Sequence, residues 1–421
     1  MDDERSWFVG VDWASKTHHV RVFDAKGRSV GERGFPHGGE GLAEMMTWIL
    51  GLTKTGPEAV HVAIEVPHGP VVESLIERGF RVYAINPKQL DRFRDRFSPA
   101  GAKDDSRDAE ALGDALRTDP HCFRALEPID PIIVQLREWS RLAEELRGER
   151  TRLGNRVREL LWRYYPQLLD VTEDVAAPWF LALWRMIPTP DKAARIHEGS
   201  VERLLKRYRI RRITAAELLQ RARTRPITVA AGTVKAASDH LALVAKQLDL
   251  VNRQIGEAEG RLDRLTDEFA GAQETEEGQS QEQRDVTILR SLPGVGRIVL
   301  ATLLAEASEA LRHRDYHALR CLCGAAPITK RSGKSKIVLM RRAVHTRLRN
   351  ALYHWARIAL QHDPRSKAKY AALRARGHRH ARALRSVGDR LLAVACAMLK
   401  TQTTFTRQLI NPGPTDAPIS A

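Results

Sequence analysis

Ser6-Trp7-Phe8-Val9-Gly10-Val11-Asp12, followed closely by Thr17-His18-His19-Val20-Arg21-Val22-Phe23, is the stretch on which the reading of the fold turns. Both runs are rich in β-branched and aromatic residues, and Asp24-Ala25-Lys26-Gly27 has the composition of a turn leading to a third run at 29–34. An opening antiparallel meander is therefore predicted. Beyond it, a helical pattern around 41–50 precedes the strand Ala59-Val60-His61-Val62-Ala63-Ile64, a helix near 71–78 and a short strand at 81–85. That alternation predicts an α/β layer built on a mixed sheet, with helices taking over from Pro87.

Two carboxylates stand where this pattern calls for apolar residues. Asp12 follows Phe8-Val9-Gly10-Val11, and Glu65 ends Val62-Ala63-Ile64. Burying a carboxylate at such a position is costly without a cation beside it. Further on, Lys103-Asp104-Asp105-Ser106-Arg107-Asp108-Ala109 opens a helix in which Asp105 and Asp108, at i and i+3, share a face. Four acids without Cys or His suit a hard divalent cation such as Mg²⁺, and paired ions of that kind stabilise the entering and leaving oxygens of a phosphodiester displacement. Plainer readings stand beside this one: strand-end solvation for Asp12 and Glu65, and a favourable helix dipole for Asp105 and Asp108.

The middle of the chain changes character. Leu136, Trp139, Leu142, Leu146, Leu153, Val157, Leu160 and Tyr164 recur at mostly helical spacing, and Leu241, Val244, Leu248, Val251, Ile255, Ala258, Leu262, Leu265 and Phe269 alternate steps of three and four. This is a coiled-coil seam, either an intramolecular helical hairpin turned by Pro166, Pro178, Pro188 and Pro190 or an arm for homo-oligomer formation. The polar stretch 271–285 reads as a linker and the tail from 409 as disordered. The expected division is 1–125 for the acidic α/β domain, 126–270 for the helical region, 271–285 for the linker, 286–408 for a basic, mostly α-helical domain and 409–421 for the tail.

Net charge over the 421 residues is +16, and its placement is uneven: residues 311–400 hold 22 Lys and Arg against three acids. A polyanionic partner such as DNA is implied for that end. Four cysteines fit neither a disulfide framework nor a zinc site, and small buried thiols are expected. With no signal-peptide pattern and no long apolar run, a soluble cytoplasmic protein without membrane contact is expected.

In the basic region Leu292-Pro293-Gly294-Val295-Gly296 precedes an apolar helix, so Gly294 and Gly296 could let backbone N–H groups approach a phosphate, although a Pro-Gly turn often merely starts a helix. Downstream, Ser332 and Gly333 are flanked by Arg331, Lys334 and Lys336, then by Arg341, Arg342, Arg347 and Arg349. A serine in such a loop is accessible and surrounded by charge able to neutralise a phosphorane; a plain turn is the competing reading. These basic residues and Lys103 are the candidates for nucleic-acid contact.

Taken together, Gly10-Val11-Asp12-Trp13-Ala14-Ser15-Lys16, Ile64-Glu65 with Gly69, Ala84-Ile85-Asn86-Pro87 and Lys103-Asp104-Asp105-Ser106-Arg107-Asp108-Ala109 resemble the successive motifs of the DEDD transposases of bacterial insertion sequences, family one-hundred-ten. The Pro-Gly-Val-Gly segment, the Gly-x-x-Pro element ending at Pro327 and Ser332-Gly333 are similar to that family's second domain. The resemblance implies an RNase H-like, RuvC-like first domain with metal ligands Asp12, Glu65, Asp105 and Asp108, and Ser332 as the nucleophile. It also implies a structured guide RNA as partner, nucleoid association and an active site assembled from both domains. Where the family has Lys-Thr-Asp this chain has Lys103-Asp104-Asp105, and the i, i+3 spacing favours Asp105 over Asp104. A hydrolytic junction nuclease and a non-catalytic nucleic-acid-binding protein are the alternative readings.

Overall fold

The structure is a computed structural model that describes residues 6–96, 105–128, 130–271, 281–333 and 335–405, with the side chains of 105 and 281–284 outside the description. The chain forms two compact units, 1–130 and 131–421.

The first unit runs β1 (Trp7–Asp12), β2 (Thr17–Phe23), β3 (Ser29–Pro36), α1 (Gly39–Thr53), β4 (Val60–Ile64), α2 (Pro70–Glu77), β5 (Arg81–Ala84), α3 (Pro87–Arg94), α4 (Asp105–Thr118) and β6 (Arg124–Leu126). The sheet order is β3-β2-β1-β4-β5-β6. The first three strands form the expected antiparallel meander, β4 and β5 run parallel to β1, and β6 returns antiparallel. Strand β6 carried no sequence signal, being three residues of Arg, Ala and Leu.

Strand periodicity sorts the side chains between two faces. Val9, Val11, Val20, Val22, Val60, Val62 and Ile64 pack with Leu42, Met45 and Ile49 of α1 and Val71, Val72 and Leu75 of α2. On the opposite face Ala63 packs with Leu90 of α3 and Ala111, Leu112 and Leu116 of α4. Helix α4 lies directly on β1. A Cβ on Gly10 would fall 1.8 Å from the Ala109 carbonyl oxygen and 2.8 Å from the Gly113 nitrogen.

The second unit begins with the long helix α5 (Pro131–Tyr164), continues through α6 (Pro178–Met186), α7 (Pro190–Arg195), α8 (Glu198–Arg207) and α9 (Ala215–Ala222), and returns along α10 (Thr233–Gly271). Helices α5 and α10 are antiparallel: Arg261 donates to Gln135 at 3.1 Å, Arg147 pairs with Glu259, and Arg150 donates to Asn252 at 2.8 Å. The seam is thus closed within one chain, as a hairpin. It does not need a second copy to bury it. Leu142, expected in the seam, is exposed, and Ala143 takes the buried position.

The remaining elements are α11 (Gln281–Ser291), α12 (Arg297–Glu306), α13 (Ser308–Arg312), α14 (Tyr316–Leu322), β7 (Ile328–Ser332), β8 (Ser335–Leu339), α15 (Thr346–His362), α16 (Pro364–Ala375) and α17 (His380–Thr401). Leu136, Ala143, Ala258, Leu262 and Leu265 of the helical hairpin share a core with Leu300, Trp355, Leu384 and Leu392, so the helical and basic regions fold around a common interior. Two sequence expectations are corrected here. The stretch 328–339, read as a loop within a mostly helical domain, is a β-hairpin, because Ile337-Val338-Leu339 favours strand and pairs with Ile328–Ser332. The expected linker is helical at both ends, and Asp285 is buried in α11, held bidentately by Arg314 at 2.5 and 2.7 Å. Residues 272–280 and the tail at 409–421 lie outside the described residues. Among the described residues no helix is long and apolar enough to cross a membrane.

Replacing Gly10 with Ala drives a methyl group into the α4 backbone, which cannot yield as a side-chain tip would. We expect a loss of about 3 kcal/mol or more, at the upper end of overpacking penalties. Chemical denaturation of the first unit's transition measures it; a loss below about 0.5 kcal/mol would show that α4 stands off β1.

Candidate carboxylate and serine sites

The parallel ladder between β1 and β4 ends at the pair Val11 and Ile64. Asp12 and Glu65 are the next residues on neighbouring strands, whose backbones are roughly 4.8 Å apart. Asp12 follows Gly10 by two residues and so shares the face covered by α4. Asp108 precedes Ala109, the residue that touches Gly10, and its side chain is 5% exposed. Sheet register and helix packing therefore place Asp12, Glu65 and Asp108 at the same end of the sheet, near the C-terminal ends of the central strands β1 and β4.

Arg94, at the end of α3, joins two of them. Its Nε lies 2.5 Å from Asp108 Oδ1 and an Nη lies 3.6 Å from Glu65 Oε2, while the other Nη pairs with Asp91 at 2.6 Å. Asn86 starts α3 by accepting a hydrogen bond from the Lys88 backbone at 3.0 Å. Asp105 is the first residue of α4, one turn before Asp108. Lys103 and Asp104 lie outside the described residues. As they stand, no three described Asp, Glu, His or Cys side chains are close enough together to hold a metal ion.

Ser332 ends β7 at the tip of the β7–β8 hairpin, exposed, and pairs with Ser335. Gly333 takes φ 53°, the left-handed region that a tight two-residue connection demands. Residues directly opposite across antiparallel strands share a face. Ser332 thus lies with Ser335, Lys330 and Ile337, and Arg331 with Lys336 on the other side. Lys334 lies outside the described residues.

The basic candidates divide. Arg331, Lys336, Arg342 and Arg349 are exposed and Arg341 is half-buried. Arg347 is engaged internally, donating to Ser140 at 3.0 Å and pairing with Glu144 at 2.9 Å and Glu306 at 3.2 Å. Gly294 has φ 85°, and a Cβ there would fall 2.8 Å from the Ala359 nitrogen, so packing on α15 already demands the glycine. Gly296 is exposed as the N-cap of α12, but its N–H is turned back to the Gly294 carbonyl at 3.2 Å.

Sequence reasoning missed a second acid centre. The Glu306 side chain is 4% exposed and receives Arg141 at 3.1 Å, Arg347 at 3.2 Å and His345 at 3.4 Å, with Arg137 at 4.0 Å. Burial raises the Glu306 carboxyl, but the ion pairs with Arg141, His345 and Arg347 outweigh it and hold the group below the usual carboxylate range. The signal was available: Glu306 ends the apolar run 298–305 just as Glu65 ends 62–64. Arg94 had no comparable signal. Two of the thiols are buried as expected, with burial pushing Cys323 up to about 12 and Cys396 up to about 11, while Cys122 and Cys321 are half-buried.

A mixed sheet with acids at the ends of its central strands and a basic, mostly helical unit with an exposed serine are the features against which known proteins are compared. Residues 9–166 match the DEDD transposase family pattern described as Transposase, and 286–371 match the pattern described as Transposase IS116/IS110/IS902 family. The mini-circle putative transposase for IS117 of Streptomyces coelicolor is 30% identical over 97% of each chain. A putative transposase of Sinorhizobium fredii, y4uE, is 62% identical over 216 residues, which span 51% of this chain and 60% of that protein. The insertion element IS110 43.6 kDa protein of Streptomyces coelicolor is 26% identical over 94% of this chain and 95% of its own length. The chain belongs to the IS110 family of transposases.

Because the folded-state Glu306 carboxyl is depressed, its contribution to stability is present above the unfolded-state value and is lost as pH falls through the folded one. Glu306→Gln should cost about 2 to 3 kcal/mol near pH 7, below the full loss for a broken buried pair because the arginines are partly solvated. The deficit should shrink on acidification. Denaturant unfolding of both proteins at neutral and acidic pH measures this, and a deficit independent of pH would contradict the ion-pair origin.

Proposed function

We propose that the chain cuts and rejoins DNA strands in insertion-sequence movement, with an RNase H-like carboxylate domain and Ser332 as the attacking group. The observation that carries the reading is the sharing of Arg94 by Glu65 and Asp108, near the C-terminal ends of β1 and β4 where Asp12 also lies, in a chain whose other unit exposes Ser332 at the tip of a basic hairpin. The strand order β3-β2-β1-β4-β5 with α4 on β1 supports the fold assignment.

The donor set fits a hard divalent cation. Asp12, Glu65, Asp105 and Asp108 offer carboxylate oxygens, with no thiol or imidazole in the set, and the contact of Arg94 with both Glu65 and Asp108 supports a place that takes positive charge. When bound there, Mg²⁺ supplies charge that stabilises the entering and leaving oxygens of the displacement. The chain's own residues do the rest. Ser332 Oγ loses its proton and bonds to phosphorus while the bond to one deoxyribose oxygen breaks and that oxygen leaves as a hydroxyl. A hydroxyl of a second strand then attacks the phosphoserine and returns the proton to Ser332, conserving the ester and needing no nucleotide cofactor. Lys330, on the same hairpin face as Ser332, is placed to meet the phosphate's negative charge, while Arg331 and Lys336 present positive charge on the opposite face. The exposed basic side chains Arg342 and Arg349 suit a polyanion, either the DNA or a structured guide RNA that selects it.

Ser332→Ala removes a hydroxyl from an exposed strand end, so folding and nucleic-acid binding should survive while cleavage and joining vanish together. Asp12→Asn should likewise abolish strand exchange. Denaturing gels of labelled DNA, with guide RNA and Mg²⁺ present, read both and should show a protein–DNA adduct for the parent chain. Continued nicking by Ser332→Ala at a rate reduced only by the roughly 1.5 to 3 kcal/mol of one charge-assisted hydrogen bond would replace the serine with water as nucleophile.

A further inference from the structure

We infer that Arg94 is the resident counter-ion of the carboxylate site: it holds Glu65 and Asp108 together without a divalent cation, and it competes with that cation for them. The inference rests on the metal-binding reading above. Asp108 is buried by the close packing of α4 on β1, so a negative charge there needs a positive partner. Arg94 supplies it, with one guanidinium touching both Asp108 and Glu65 from a third element, α3.

The manner of contact matters. Arg94 Nε is buried and lies 2.5 Å from Asp108 Oδ1, yet it makes no hydrogen bond of acceptable geometry. Hydrogen bonds weaken steeply away from linearity, so charge rather than direction holds the pair. A contact of that kind can be replaced by another cation without leaving a directed bond unmade. Arg94 also has a second seat, because Asp91 on the same helix, 65% exposed, already accepts its other Nη. The guanidinium can stay paired with Asp91 after giving up the two acids. Arg94 is therefore a positioning residue that keeps the acids from repelling each other apart until the cation arrives.

Two ligands competing for one site are coupled, and couplings of this sort span roughly 5- to 150-fold in affinity. The experiment is titration of Mn²⁺ into the full-length protein and into Arg94→Gln and Arg94→Lys, followed by calorimetry and by electron paramagnetic resonance of free Mn²⁺. Arg94→Gln should bind Mn²⁺ roughly tenfold more tightly than the parent, with Arg94→Lys in between. Its metal-free form should also melt lower, and Glu65→Gln added to Arg94→Gln should recover that loss, which a purely steric role for Arg94 would not allow. Binding to the parent with unchanged or weaker binding to Arg94→Gln overturns the counter-ion role and leaves the metal site standing. Absence of binding in all three overturns the metal reading and this inference with it. Binding by Arg94→Gln alone supports the inference in its strongest form, with Arg94 fully masking the site.

Discussion

The contact between helix α4 and strand β1 at Gly10 is the constraint from which the placement of the acids follows. Ala109 and Gly113, four residues apart on one helix face, approach the strand backbone where it has no side chain, and Phe23 packs against the Gly113 surface. At that separation the face of α4 turned to the strand is closed to water, so Asp108, next to Ala109, is buried although Arg107 beside it is exposed. The desolvation cost then obliges a cation to be present. A missing Cβ on one strand is thus connected, through helix packing, to a demand for positive charge at the end of the sheet.

The parts of this arrangement that obey a local period were legible in the sequence. β-Branched and aromatic composition with an intervening turn marked the meander, and breaks in the apolar runs marked Asp12 and Glu65. The three-four spacing marked the α5–α10 seam, although it could not say whether the partner lay in the same chain. Arg94 was illegible because nothing local distinguishes it from Arg92 or Arg96; its role is fixed only when Leu90 seats α3 beside α4. The β7–β8 hairpin was hidden for a different reason. Its strand-favouring residues are a short run between strongly helical flanks, and a three-residue apolar run cannot by itself decide between the two periods.

Formal charge in the basic stretch overstates what faces a polyanion. Its three acids all serve the fold: Asp315 and Asp363 accept backbone hydrogen bonds at the starts of α14 and α16, and Asp389 binds Arg320 at 2.8 and 3.0 Å and Tyr316 at 2.9 Å. Arg314 and Arg347 are likewise spent on Asp285, Glu144 and Glu306. What remains exposed for nucleic acid includes Lys330, Arg331, Lys336, Arg342 and Arg349 around the hairpin and the start of α15, and also side chains of α15, α16 and α17 such as Arg357, Arg365, Lys367, Arg374 and Arg382. The exposed positive charge therefore extends from the hairpin bearing Ser332 along α15, α16 and α17.

The two buried acid centres differ in a way that separates structure from chemistry. Glu306 is one carboxylate surrounded by Arg137, Arg141, Arg347 and His345, an excess of positive charge with no capacity left for a further cation. Glu65 and Asp108 are two carboxylates that, among the described residues, form ion pairs with Arg94, which is itself shared with Asp91. The first centre is a single carboxylate already held by several guanidiniums. The second retains negative charge, partly buried where the local dielectric strengthens it. Both were built by ending an apolar run with Glu, so the residue type does not decide the role; the number of guanidiniums that the surrounding helices deliver to it does.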